Sequence, residues 1–288
     1  RPRQWSTAAH LALESHVLER LGHLAALPAA GAHPDHVERA LAAEGALGAD
    51  QAEAVRALCA PGAAVRLLAA PAGFGKTTAV HAAAAAQVAS GRRVLGLATT
   101  NQAAAELRDV GIDAVTLARF RIDVEARGLA AGTTLVLDET SQVATADAAW
   151  LLDLAVAVPN TTLWCLGDSR QGRPVRAGGL AAELERRAAQ GDLSAAALTV
   201  NRRQQEPEER RALSRYRDGA VAESQTIRTA GGWEHDHGTP AATRQALAEA
   251  LVADADILGV DNVVALCVSH ADAEDIADRA RRALAAAG

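Results

Sequence analysis

Apolar positions along the chain change period in a regular way. Between residues 7 and 27 (TAAHLALESHVLERLGHLAAL) they recur at helical spacing, which predicts an amphipathic helix capped by Ser6 or Thr7. The stretch 28–35 (PAAGAHPD) has the prolines and glycine of a loop, and a second helical segment follows to Ala43. From Leu47 onward, short apolar runs alternate with helical patterns. Runs at 65–69, 94–98, 135–137, 162–167 and 197–200 predict strands, and 77–89 and 101–109 are the clearest helices between them. Short apolar strands joined by helical crossovers predict a parallel, doubly wound sheet.

Past Asn201 the pattern changes. Residues 206–218 are an arginine-dense helical stretch, and TAGGWEHDHGTP (229–240) predicts a hairpin or a long loop. A helix over 241–253, a strand over 263–268 and a helix over 271–287 follow, as the opening of a second α/β domain. The organisation expected is a helical segment (1–45), a first α/β domain (46–200) and an incomplete second one (201–288).

Composition narrows this picture. The 288 residues can bury one large core or two modest ones, and 49% of them are hydrophobic while only 2% are aromatic. A core of small aliphatic side chains suits helices on a parallel sheet better than a sandwich or barrel. The formal net charge of −6 gives no global basic field, so any nucleic-acid contact has to be local. Cys59, Cys165 and Cys267 sit in apolar segments without a CxxC, which predicts buried free thiols in a reducing, cytoplasmic setting. No signal peptide and no apolar stretch of membrane-spanning length is visible, so no membrane partner is expected. The chain has no methionine and opens RPRQW, and the expectation is a piece of a longer protein.

Candidate chemistry begins at APAGFGKT (70–77), which holds Lys76, the one lysine among 29 basic residues. The run fits the phosphate-loop pattern GxxxxGK[ST], with Ala70 in place of the first glycine. Gly73 and Gly75 allow backbone N–H groups to turn inward around a phosphate at the positive end of the next helix. Lys76 then offers a compact charge to the β- and γ-phosphates and Thr77 a hydroxyl to Mg²⁺, with Thr78 completing the nucleotide-binding stretch. A planar guanidinium suits such a nest poorly.

In TLVLDET (134–140), Asp138 and Glu139 emerge at the C-terminal edge of a predicted strand, where open parallel sheets bind ligands. Asp138 would hold Mg²⁺ through water, and Glu139 would act as general base on the attacking water. A third strand ends in GDSRQ, whose Gln171 can bond a γ-phosphate. Gln51, at the start of a helix before the first strand, has an amide able to read both donor and acceptor edges of adenine. LTVNRRQ (198–204) brings two arginines to the end of the first domain's last strand or to the start of the next domain. An arginine approaching from another domain can neutralise the transferring phosphoryl group, and Arg203 is preferred over Arg202 for that role. Each residue taken singly also fits a solvated turn or surface position. His235 and His237 have strand spacing but no evident third metal ligand, and read as solvated loop histidines.

In order, Gln51, APAGFGKTT, TTNQAAAEL, DAVTLARF, LVLDET, GDSRQ and NRRQ resemble the superfamily 1 DNA helicases. Within them the set is closest to the RecD-like branch and the helicase portion of TrwC/TraI-type conjugative relaxases, from about residue 5 onward. The resemblance implies a P-loop NTPase (RecA-like) motor domain with part of a second. ATP and Mg²⁺ would be its cofactors, single-stranded DNA the track, 5′→3′ the direction, and a relaxase domain a neighbour in the parent chain. It assigns TTN (99–101) and TLARF (116–120) to DNA: Thr100, Asn101 and Thr116 can bond phosphate oxygens, and Arg119 adds charge. By itself TTNQAAAEL is equally a helix N-cap.

The chain departs from this pattern at Ala70 and in QGRPVRAGG after Gln171, where a leucine more often comes first. The late helicase motifs and the relaxase histidine cluster are absent, and the single tyrosine, Tyr216, lies in the arginine-rich helix. Residues 1–288 alone are therefore expected to bind nucleotide poorly, to be weakly active or inactive as a hydrolase, and to unwind nothing. Two other classes fit parts of the set. One is a P-loop ATPase that switches or loads without translocating. The other is a degenerate, non-enzymatic DNA- or protein-binding module, against which intact Lys76, Thr77, Asp138 and Glu139 argue. A small-molecule kinase would need an acceptor lid that the sequence does not show.

Overall fold

The computed structural model describes residues 6–287 apart from Ala46 and Arg173. The opening RPRQW, the expected domain boundary at Ala46 and Arg173 of the QGRPVRAGG segment lie outside the described residues. The chain falls into two compact units that part between Gln205 and Glu206. In the first unit the elements run α1 (Ala8–Ala26), β1 (Pro28–Ala29), α2 (Pro34–Ala43), α3 (Ala49–Cys59), β2 (Gly62–Ala63), β3 (Val65–Ala69) and α4 (Lys76–Ala89). They continue with β4 (Val94–Ala98), α5 (Asn101–Asp109), β5 (Ala114–Thr116), α6 (Leu117–Arg127), β6 (Thr134–Leu137), α7 (Thr145–Ala157), β7 (Thr162–Gly167), α8 (Leu180–Gln190) and β8 (Ser194–Ala197).

Strands β4, β6 and β7 are buried along their whole length, as strands covered on both faces must be. They belong to a six-stranded sheet of order β5-β4-β6-β7-β3-β8, in which every pairing is parallel. Alternate residues supply two cores. Leu67, Leu97, Leu135 and Leu163 meet α1, α7 and α8 through Leu21, Leu152 and Leu184. Leu68, Val136, Trp164 and Leu166 meet α3, α4 and α5 through Leu58, Ala83 and Leu107. The expected fold class, an α/β P-loop NTPase with a doubly wound parallel sheet, is the one observed. Thr7 caps α1, its hydroxyl accepting from the His10 N–H at 3.1 Å, and the helix lies on α7, where Arg20 pairs with Asp153 at 2.8 Å.

Two local expectations are corrected here. The loop after α1 begins with a two-residue antiparallel pairing of β1 with β2. The last strand is Ser194–Ala197, three residues earlier than the apolar pattern places it. Leu198 still donates to the Ala69 carbonyl at 2.9 Å, but the N–H groups of Thr199 and Val200 turn to the Asp50 carboxylate at 2.9 and 3.1 Å. A side chain captures those amides, and the ladder ends.

The second unit contains α9 (Pro207–Arg217), α10 (Val221–Ala230), α11 (Pro240–Leu258) and α12 (His270–Ala287). Helix α9 packs on α10, which the sequence pattern does not announce, and α11 packs on α12 around Ala248, Ile276 and Ala280. Residues 231–239 are a loop with His235 and His237 exposed and their rings 6.2 Å apart. The strand expected at 263–268 is not formed. Its side chains do alternate, with Ala265 and Cys267 packed on the helices and Val264, Leu266 and Val268 exposed. Among the described residues no neighbouring strand pairs with this segment, so the alternation has no ladder to join.

Burial pushes the thiols of Cys59 and Cys165 up to about 12, against a weaker opposing effect of Arg66 on the first and of Thr140 on the second. Cys267 is half-buried. An aromatic disulfide reagent at pH 8 is expected to titrate Cys267 in the native protein and all three thiols after denaturation. Rapid reaction of all three in the native state would contradict the packing.

Candidate nucleotide site

Strand β3 delivers the chain to the C-terminal edge of the sheet, and residues 70–75 turn it into α4. Ala70 is 1% exposed, joins the core below α4 and donates its N–H to the Gly167 carbonyl at 2.9 Å. Among the described residues only Glu139 and Asn160 adopt left-handed backbone without being glycine, so position 70 tolerates a methyl group. The demand for glycine falls instead on Gly73 and Gly75, at φ 85° and 83°.

Lys76 is the first residue of α4 and its side chain is 16% exposed. Its Nζ donates to Asp138 Oδ1 at 2.5 Å and to Glu139 Oε1 at 2.7 Å. Burial disfavours the charged amine, but the two facing carboxylates outweigh it and raise the Lys76 pKa above its ordinary value. The acids arrive from the end of β6, with β7 lying between that strand and β3. Glu139 sits at φ 48°, ψ 49°. Left-handed backbone at a side-chain-bearing residue costs roughly 1–2 kcal/mol, and strain of this kind concentrates at functional sites.

Gln171 follows β7 and completes the network. With its amide oriented to satisfy both ends, it donates to Glu139 Oε2 at 2.9 Å and accepts from the Ala72 N–H at 3.1 Å. The turn that carries it is held by Glu185 of α8, which accepts from the Ser169 N–H at 2.8 Å and from the Ser169 hydroxyl. Sequence reasoning missed Glu185, because nothing near it in the chain marks a contact 16 residues away.

Gln51 is 4% exposed, and both ends of its amide are engaged. Its Oε1 accepts from the Gly48 N–H at 3.0 Å and its Nε2 donates to the Gly75 carbonyl at 2.9 Å. It supports the phosphate loop, and its second N–H and second oxygen lone pair are what remain to meet a ligand. Arg202 is also committed, to Asp50 and to the Phe74 carbonyl at 2.8 Å. Arg203 is exposed, and among the described residues no carboxylate pairs with it. Both arginines belong to the first unit, one of the two placements that the sequence leaves open.

Lys76, Thr77, Thr78, Asp138, Glu139 and Arg203 thus share one cleft of about 450 Å³, floored by Gly73 and Gly75. The Thr77 hydroxyl and the Asp138 carboxylate are hard oxygen donors of the kind Mg²⁺ takes.

The residues expected at DNA lie further along the same sheet edge. Thr100 caps α5, accepting from the Ala103 N–H, and Thr116 caps α6, accepting from the Arg119 N–H, both at 3.2 Å. Asn101 is exposed, and Arg119 pairs with Asp123 at 2.9 Å. Thr100 lines a second groove of about 400 Å³ together with Arg121, Gln142, Trp150 and Arg176. There Arg121 lies 4.9 Å from the ring centre of Trp150. The sequence pattern does not single out this aromatic–cation pair, since its partners come from α6 and α7.

Residues 46–239 of the 288 match the AAA domain family. The chain belongs to that family. A P-loop in an AAA domain implies a nucleotide with a divalent metal, in keeping with the donor set of the cleft. The chain is also similar to the conjugal transfer protein TraA of Rhizobium radiobacter, at 29% identity over 181 residues. The match covers 62% of this chain and 16% of TraA, so the AAA-domain chain spans a small part of that relative's length. No helix among the described residues is long and apolar enough to cross a membrane.

Proposed function

We propose that this chain is the motor portion of an ATP-dependent DNA helicase or translocase of the RecD-like branch, drawn from a conjugative relaxase–helicase. In this reading it works 5′→3′ on single-stranded DNA in the cytoplasm, with a relaxase domain in the same parent protein. The observation that carries it is the meeting of Lys76, Asp138, Glu139 and Gln171 in one hydrogen-bonded network beside the phosphate loop. The similarity to TraA supports the setting, and three free thiols, two of them buried and one half-buried, fit a reducing compartment.

In the reaction, Lys76 exchanges its carboxylate partners for the β- and γ-phosphate oxygens of ATP. Thr77 and Asp138 would hold Mg²⁺, which supplies charge neutralisation at the phosphates. Glu139 takes a proton from water as the water oxygen attacks the γ-phosphorus, and the bridging oxygen leaves with ADP. Gln171, bonded to Glu139 on one side and the loop on the other, is placed to register the γ-phosphate. Arg203 faces the cleft and stabilises charge on the transferring group. Thr100, Asn101, Thr116 and Arg119 border the DNA path, where Trp150 offers a base-stacking surface.

ATP turnover measured with and without a single-stranded oligonucleotide tests the proposal. DNA is expected to stimulate turnover, and Gln171→Ala to remove most of the stimulation. Turnover indifferent to DNA would favour a non-translocating ATPase instead.

A further inference from the structure

Arg202 and Arg203 are neighbours in sequence, yet the structure treats them differently. Asp50, in the first turn of α3, gathers donors from a segment some 150 residues away. Its carboxylate takes the Thr199 and Val200 N–H groups at 2.9 and 3.1 Å. Arg202 closes on it from Nη1 to Oδ2 at 3.3 Å and from Nη2 to Oδ1. The N–H of Gln51 adds a bond to Oδ1 at 3.0 Å. On its other side, the segment is fastened to the phosphate loop. The backbone N–H groups of Arg202 and Arg203 both donate to the Gly73 carbonyl, at 2.8 and 3.0 Å. The start of the Arg203 side chain lies against Gly73 so closely that a methyl group there would stand 2.6 Å from Arg203 Cβ.

An acid in the first turn of a helix is ordinarily explained by the helix dipole alone. That explanation does not account for Asp50, whose side chain is 10% exposed and whose donors come mostly from outside its own helix. Partial burial opposes its charge, but the bonds from Arg202, Thr199 and Val200 prevail and hold Asp50 well below the usual carboxylate range. Its neighbour Gln51 holds the Gly75 carbonyl. One helical turn therefore anchors both the phosphate loop and the strand of chain that crosses it.

We propose that Asp50 is a positioning residue: it grips Arg202 as a tether and thereby sets Arg203 over the phosphate loop as the arm that meets the nucleotide. This rests on the ATP-hydrolase reading given above. In a tether of this kind the fork of the guanidinium matters as well as its charge.

Asp50→Asn, Arg203→Ala and the double variant test it in two measurements. Amide hydrogen exchange across 199–203 is expected to rise about tenfold or more in Asp50→Asn, with β3 and α4 unchanged. ATP turnover is expected to fall about 10–100-fold in kcat for each single variant, with KM within about threefold. The double variant is expected to be no worse than Arg203→Ala, because both lesions remove one arm. Wild-type exchange in Asp50→Asn, or losses that multiply in the double variant, would overturn the proposal. Turnover is read in the full-length parent, because the 288 residues alone are expected to be weakly active; if that parent turns over no ATP, it is the hydrolase reading that fails. Exchange at 199–203 then decides the tether: faster exchange supports it, and unchanged exchange overturns it. Should Asp50→Asn unsettle the whole fold, Arg202→Lys keeps the charge, loses the fork and carries the same expectations.

Discussion

Glu139→Gln is expected to cut ATP turnover by about 10²–10⁴-fold, the range for loss of a general base, while ATP affinity stays within a few-fold of wild type. The substitution keeps size and shape and removes the group that accepts the proton. An amide oxygen can still accept from Lys76, so the ammonium stays anchored on one side. The other contact does not survive unchanged, because Gln171 donates to Oε2 and an amide nitrogen there would face a second donor. Rapid-quench hydrolysis of ATP already bound to the protein separates the two effects. Turnover within about fivefold of wild type would remove Glu139 from the chemistry.

Lys76→Arg is expected to be nearly as damaging as Lys76→Ala, weakening ATP binding by about a hundredfold or more. The lysine amine is a compact charge enclosed by Asp138, Glu139 and the first turn of α4. A guanidinium is broad and planar, and its fork has no matching outline there. The charge of Lys76 is secure at every working pH. Its folded pKa lies above the unfolded value of about 10.4, so the stability it contributes is fully present below that value. It is lost only as pH rises through the folded one. A pH dependence of ATP binding between 6 and 9 would therefore have another origin. Equal binding by wild type and Lys76→Arg, measured by fluorescence titration, would refute the need for lysine and leave its solitary presence unexplained.

The parts of the fold that were legible in the sequence are those written in local pattern. The runs 65–69, 94–98 and 162–167 are strands with those bounds, because unbroken apolar stretches between helical patterns have few other uses in a doubly wound sheet. The phosphate loop is legible because its glycines and lysine lie within one turn of chain. What was not legible depends on contacts across long separations. Asp50 looks like any acid at a helix start until Thr199, Val200 and Arg202 are brought to it, and the same contacts end β8 early. Gln51 reads as a free amide, yet its two ends face Gly48 and Gly75. The left-handed backbone of Glu139 leaves no trace in residue type, since glutamate is not a residue chosen for that conformation. Residues 263–268 show the opposite failure: a correct alternation with, among the described residues, no strand paired beside it.

The central claim is that Lys76 and the loop around it hold a nucleotide for hydrolysis. The most direct measurement is a titration of this chain with a fluorescent ATP analogue in Mg²⁺, carried to millimolar concentration and repeated with Lys76→Ala. One saturable site, weak in the wild type and lost in the variant while the melting temperature holds, is the result predicted. No saturable binding by the wild type, or equal binding by both proteins, would contradict it.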